Sequence, residues 1–260
     1  MVGAQPTIRL RFYGHACFGL FRGDEPLLCL DPFEPGSLGG SVALAAPPDI
    51  FRHVFCSHEH VDHSAVHIVP AAERVHAPFQ RGDLRITGRV ASHDEFGGRL
   101  RGGAVVVARI EVASVVVIVC GDLGERPTDA LLDWLRAIPT DVLITPVGGH
   151  FTLNADAAAE MASLVSPRYL VPCHSADDGV RLAELAGRSV WESRWPGPSV
   201  RSEELVLAPR RLRAEPTVAW LAERPAPDSD VGAGLHRRVV PCAASRTAAP
   251  AGRERRYMDQ

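Results

Sequence analysis

Ser57-His58-Glu59-His60-Val61-Asp62-His63 decides how the rest of the chain is read. It follows Val54-Phe55-Cys56, an apolar run that predicts a buried strand, so these side chains are delivered where a strand ends. Open α/β sheets place their chemistry at such ends. Three imidazoles and the Asp62 carboxylate packed into residues 58–63 are costly to hold together unless a cation lies among them, and a divalent metal suits these donors. In an extended segment His58 and His60, two apart, can converge on one ion. Asp62 and His63 lie far enough along to reach another, so the spacing points to two metals. A histidine-rich surface loop that binds metal loosely is the plain alternative. The order H-x-H-x-D-H directly after a strand weighs against it.

Upstream, Ile8, Leu10 and Phe12 alternate with polar neighbours, and apolar runs at 17–21 and 27–30 follow across short turns, predicting an antiparallel meander. Residues 33–49, rich in Pro, Gly, Ser and Ala, form a long loop. Downstream, residues 64–72 suit one short helix with Ser64 as its cap, which would turn His67 to the side of His63; His67 is left out of the ligands. Residues 75–79, 84–86 and 89–91 are short strand candidates leading to His93. Residues 104–110 and 114–120 form a hairpin of high β-branched content whose second strand delivers Asp122. A helix over 128–138, a strand over 141–145, a helix from an Asn154 cap through Val165 and a strand over 169–171 leading to His174 complete an alternating half. Residues 180–186 read as helical and 204–207 as a last strand. The organisation is thus a domain over 1–212 and an Ala/Arg/Pro-rich tail over 213–260, mostly disordered but for a helical fragment near 218–221.

Composition bounds the function. An apolar fraction of 46% and a charged fraction of 23% are ordinary for a globular chain, which excludes disorder of the whole. No stretch is long and apolar enough to span a bilayer, and the amino terminus has no signal-like pattern, so a cytoplasmic protein without a membrane partner is expected. Every basic residue is arginine; residues 1–209 carry −7 and residues 210–260 carry +4, so the first region offers no nucleic-acid surface. Cys29, Cys56, Cys120 and Cys173 lie in or at the end of apolar runs and read as reduced, buried thiols.

The order of motifs resembles the metallo-β-lactamase superfamily. Gly14-His15-Ala16 and Leu30-Asp31-Pro32 precede the histidine stretch; Ser92-His93-Asp94-Glu95, Cys120-Gly121-Asp122-Leu123-Gly124, Pro146-Val147-Gly148-Gly149 with Phe151-Thr152, and Val171-Pro172-Cys173-His174 follow it. Within the superfamily the pattern is most similar to the branch of ascorbate-6-phosphate lactonase-like proteins. The resemblance implies an α/β (α+β) fold, a four-layer αββα sandwich. It implies that His58, His60 and His93 bind one metal, that Asp62, His63 and His174 bind another, and that Asp122 bridges them. Two divalent ions are implied, Zn²⁺ first, with Mn²⁺ or Fe²⁺ as alternatives. It also implies that Asp31 supports the metal loop by hydrogen bonding and that His15 lies near without ligating; His15 reads equally as a strand-end cap or a substrate contact.

The chemistry implied is hydrolysis by a hydroxide shared between two cations, acting on a small-molecule substrate: an ester, lactone or phosphoester, expected to be anionic if Arg99 and Arg101, on a glycine-rich loop that the family places over the site, face it; plain solvated turn charge is the alternative for both. Asp62 could orient the hydroxide or carry a proton. His150, at a position variable in the family, either protonates a leaving group, touches substrate, or caps its turn. Asp94 and Glu95 could fix an imidazole tautomer. The absence of the glutamate found in the diiron members argues against redox chemistry, and the absence of a large insertion argues against nucleic-acid cleavage. A phosphodiesterase or phospholipase-like hydrolase and a non-catalytic metal-binding scaffold are the alternatives. Oligomeric state is open.

Overall fold

A computed structural model describes residues 6–100, 103–176, 179–195, 197–207 and 217–221. In chain order its strands are β1 (Ile8–Gly14), β2 (Cys17–Arg22), β3 (Glu25–Leu30), β4 (His53–Phe55), β5 (Glu73–Val75), β6 (Phe79–Arg81), β7 (Leu84–Ser92), β8 (Ala104–Val112), β9 (Val115–Val119), β10 (Val142–Pro146), β11 (Tyr169–Cys173), β12 (Ser199–Ser202), β13 (Glu204–Leu207) and β14 (Thr217–Leu221). The helices are α1 (Asp129–Arg136), α2 (Ala155–Val165) and α3 (Arg188–Arg194). One sheet runs β13-β1-β2-β3-β4-β5 and the other β12-β14-β11-β10-β9-β8-β7-β6.

Period-two burial explains why the sheets stack. Ile8, Leu10, Phe18, Leu20, Leu28 and Leu30 of the first sheet meet Ile110, Val117, Val119, Ile144 and Val171 of the second in one core. The alternate residues of the second sheet, Ile118, Leu143 and Leu170, pack against Leu131, Leu135, Met161 and Trp191 from the three helices. Strands β9, β10 and β11 are therefore buried on both faces, which is why they read as unbroken apolar runs. Thr128 and Asn154 cap α1 and α2 by accepting from Leu131 N and Ala157 N. The expected sandwich is present, with one local difference. The outer face of the first sheet, Tyr13, Cys17, Phe21 and Cys29, is covered by loop residues such as Phe33, Val42 and Phe51 rather than by a helix.

Several local expectations are corrected. Residues 64–72 make only a 3₁₀ turn at Val66–Ile68, because the Ser64 hydroxyl donates to His60 O instead of capping a helix. His67 is consequently 69% exposed and meets Glu34 at 2.7 Å. The separate strands expected over 84–91 are one continuous strand, β7, paired along its length with β8. Residues 180–186 are not helical: Val180 bridges Val42, and the helix comes later, at α3. The fragment near 218–221 is a strand, β14, pairing in parallel with β11 and β12, and Val218 and Leu221 are buried. The described structure therefore extends past residue 212, to Leu221. The other residues of the expected tail lie outside those described, as does Arg101. Among the described residues no helix is long and apolar enough to cross a membrane.

Candidate metal centre

The histidine stretch follows β4, and its parallel pairing with β3 sets Asp31 beside Ser57. Asp31 is fully buried and left-handed (φ 43°). Its Oδ1 accepts from Ser57 N at 2.6 Å and its Oδ2 from Ser57 Oγ at 2.8 Å. The same Oδ2 lies 3.3 Å from His63 Nδ1, while Ser57 Oγ lies 3.0 Å from His58 Nδ1. Since the serine proton is spent on Asp31, its oxygen accepts from the His58 ring. Both imidazoles thus have Nδ1 engaged and Nε2 turned inward with its lone pair.

The remaining groups come from other strand ends. His93 follows β7, Asp122 follows β9 and His174 follows β11. The Cys120-Gly121-Asp122-Leu123-Gly124 motif has a packing reason. Gly121 is left-handed (φ 54°), and a Cβ there would lie 2.5 Å from Ser57 Oγ; at Gly124 it would lie 2.1 Å from His93 O. His174 is also left-handed (φ 50°), and its N–H donates to His15 O at 2.8 Å.

These ends bring all seven predicted metal residues together in two groups. His58, His60, His93 and Asp122 form one; Asp62, His63 and His174, with His15, form the other; within each, the ligand atoms lie within 4.8 Å of one another. Asp122 stands between them: Oδ2 is 3.3 Å from Nε2 of both His93 and His174, and 3.8 Å from His58 Nε2, while Oδ1 is 3.1 Å from His63 Nε2. His58 Nε2 and His60 Nδ1 are 3.1 Å apart. His63 Nε2, His93 Nε2 and Asp122 Oδ1 are buried, close to one another's groups, and lack a hydrogen bond of acceptable geometry. Convergent buried donors of this kind fit a divalent cation of the zinc type.

The electrostatics agree with that fit. Burial holds His58 down to about 2, with His63 adding to it, so the ring is neutral and its lone pair available. Asp122 is pulled well below the carboxylate range despite its burial, by His174 and His63. His63 is pushed up because burial is outweighed by Asp122 and Asp62, which marks where positive charge is favoured.

His15 is the functional side chain that the sequence under-read. It is buried, its Nε2 lies 3.0 Å from Asp62 Oδ2, and its ring packs 4.4 Å from that of His174. Burial, then His174, holds it down to about 4, so it meets Asp62 as a neutral donor. Asp62 stays below the usual carboxylate range despite burial, through His63 and this hydrogen bond. The Gly-His-Ala motif at the end of β1 was the available signal. The Asp94 carboxylate accepts from Phe96 N, Gly98 N and Leu100 N, and Glu95 is exposed. Arg99 donates through Nε to Phe96 O. His150 is exposed and left-handed (φ 53°) and lines the same cavity of about 180 Å³ as His60, Asp62, His93, Asp122 and His174.

Residues 9–174 match the family described as the beta-lactamase superfamily domain. A UPF0173 metal-dependent hydrolase of Thermococcus onnurineus is 28% identical, over 64% of this chain and 84% of its own. Another of that name, from Pyrococcus furiosus, is 26% identical over the same shares. A crystal structure of a metallo-β-lactamase superfamily protein from Thermotoga maritima superposes with a TM-score of 0.62 at 21% identity, covering 82% of this chain and 100% of that one. At that identity the structural likeness speaks for the fold.

Proposed function

The chain belongs to the metallo-β-lactamase superfamily of metal-dependent hydrolases, and on that premise we propose that it is a binuclear enzyme cleaving a small ester, lactone or phosphoester. The observation that carries the reading is the pair of convergent clusters sharing Asp122. In it, His58, His60 and His93 hold one divalent ion, Asp62, His63 and His174 the other, and Asp122 both. Zn²⁺ is the proposed ion, with Mn²⁺ or Fe²⁺ as alternatives. When bound, such ions supply an acidified water and charge stabilisation for the oxygen under attack. The chain's own groups do the rest. Asp31 and Ser57 fix the rings of His58 and His63 so that Nε2 faces inward. His15 donates to Asp62 Oδ2 and keeps the carboxylate ionised, ready to orient a water or accept its proton. His150, on the cavity rim, is the proposed donor of a proton to the leaving group. Resemblance to the ascorbate-6-phosphate lactonase-like branch supports keeping lactones among the substrates. A cytoplasmic setting is proposed with it, supported by five buried cysteines that are free thiols.

The test is metal stoichiometry by elemental analysis on protein purified without chelator. Two ions per chain are expected, with one lost in His58→Ala and the other in His174→Ala. One ion or none, untouched by either substitution, would remove the reading. A hydrolytic screen with Asp122→Ala as the blank then identifies the bond cleaved.

A further inference from the structure

Resting on the hydrolase reading above, we infer that the cavity over the candidate metal centre takes an uncharged substrate with a short aliphatic group beside the scissile bond, and discriminates against substrates carrying a negative charge there. The cavity has two unlike sides. One part of its lining is the polar cluster of His60, Asp62, His93, Asp122 and His174; the other is an apolar wall of Leu38, Val61, Leu182 and Leu185, and no arginine lines it among the described residues. About 180 Å³ equals roughly six waters at ~30 Å³ each, room for a group of a few carbon atoms.

The wall is built, because three loops are stitched together to make it. Ala43 N donates to Gly179 O at 2.7 Å and Arg181 N to Ser41 O at 2.8 Å, around the Val42–Val180 bridge. Glu34 N donates to Val61 O at 3.0 Å, tying the first loop to the histidine stretch. Leu38 is held left-handed (φ 53°) between Gly36 and Gly39, both also left-handed, a position where a turn alone would favour glycine or asparagine. It nevertheless presents a leucine, 39% exposed, to the cavity, and Val61 beside it is 49% exposed. Apolar side chains left open beside a polar cluster have a use if a ligand's hydrocarbon covers them.

Charge points the same way. An oxyanion forming at the polar cluster is served by it, but a second negative charge beside the apolar wall would meet leucines and lose its hydration with no partner. The adjoining hollow of about 890 Å³, which shares His150, is lined by Glu95 and Glu125, while Arg126 is ion-paired with Glu160 at 2.8 Å and Asp156 with Arg194 at 3.3 Å.

A matched pair of esters tests this on the metal-loaded full chain. p-Nitrophenyl butyrate and p-nitrophenyl hydrogen succinate share a leaving group and acyl length and differ by a terminal methyl against a carboxylate. Water adds to the acyl carbon, the acyl C–O bond breaks, and each yields p-nitrophenolate and a carboxylic acid. The expected kcat/KM preference for butyrate is at least about tenfold, and Leu182→Arg is expected to shrink it by about fivefold or more. Leu38→Asn, which tolerates the left-handed backbone, is expected to raise KM for butyrate, guarding against a misfolded arginine variant. Equal or faster cleavage of the succinate ester by wild type would overturn the inference. If neither ester is cleaved above the Asp122→Ala blank, the hydrolase reading fails separately, and calorimetric titration with butyramide and succinamate decides: butyramide binding that Leu182→Arg weakens upholds the wall, whereas no binding, or succinamate binding as well, overturns it.

Discussion

On the proposed two-ion reading, His15→Ala is expected to cost the chain the ion that Asp62, His63 and His174 would hold while sparing the one that His58, His60 and His93 would hold. The substitution removes a ring that touches Asp62 and packs on His174, and it leaves the His15 carbonyl that accepts from His174 N. His15 meets an ionised, buried carboxylate as a neutral donor, an interaction worth about 1.5–3 kcal/mol. At ~1.4 kcal/mol per decade, that is a weakening of about 10–100-fold at one site. The same range holds generally for groups that orient metal ligands, so two independent routes agree. His15→Gln keeps an N–H near the position of Nε2 and is expected to recover most of the loss. The assay is metal content after dialysis against a graded chelator series, with thermal melting to establish that each variant is folded. A folded His15→Ala protein that retains both ions as tightly as wild type, or a His15→Gln protein as impaired as His15→Ala, would refute the argument that the imidazole acts by holding Asp62.

Glu204 on β13 bonds Arg11 at 2.8 Å and Arg9 at 3.3 Å across the β1 edge, and these bonds hold it below the usual carboxylate range although its partial burial opposes this. A depressed carboxylate stabilises above its unfolded value, roughly 4.3, and that stability is lost as pH falls through the folded one. For a group only partly buried, Glu204→Gln should cost no more than ~1 kcal/mol at neutral pH, with the gap closing as pH falls below the ordinary glutamate range, read from urea midpoints. Cys17, Cys29, Cys56, Cys120 and Cys173 are buried, and burial pushes up the thiols of Cys17, Cys56 and Cys173 and takes Cys120 to about 12. Maleimide at neutral pH is therefore expected to leave these five unmodified until the chain is unfolded, as counted by intact mass. A chain ending at residue 212 lacks β14, whose buried Val218 and Leu221 contribute about 3–6 kcal/mol together. It should be insoluble or melt far below a chain ending at residue 227; equal melting temperatures would show that β14 is dispensable.

What the sequence made legible was local. The histidine stretch is readable because its donors are neighbours in the chain and because the strand before it fixes where they emerge. Strands β9, β10 and β11 are readable because burial on both faces leaves a continuous apolar run. Where the reading failed, a local signal was overruled by a partner far along the chain. Ser64 has the chemistry of a helix cap, but its hydroxyl is taken by His60 O, and Ala65 N donates to Pro32 O, so the segment is shaped by the metal loop. Residues 180–186 have helical periodicity, yet Val180 pairs with Val42. β14 was hidden by the Ala/Arg/Pro composition around it, which masks five residues able to pair with an open sheet edge.

The same distinction separates the chemistry from the specificity of the site. The proposed metal residues leave a mark in the chain because four of them fall within residues 58–63 after one strand, and His93, Asp122 and His174 each follow another strand. The apolar wall carries no such mark. Leu38, Val61, Leu182 and Leu185 are ordinary leucines and a valine whose meaning arises only when backbone pairing between residues 41–43 and 179–181 brings two loops together. Arg99 shows the reverse: on its glycine-rich loop it has the look of an anion clamp, and the fold turns its guanidinium to Phe96 O. Charge in a sequence reports what a loop could recognise; the hydrogen bonds closing that loop decide whether the charge faces a ligand, and on the inference drawn above the described lining offers hydrocarbon instead.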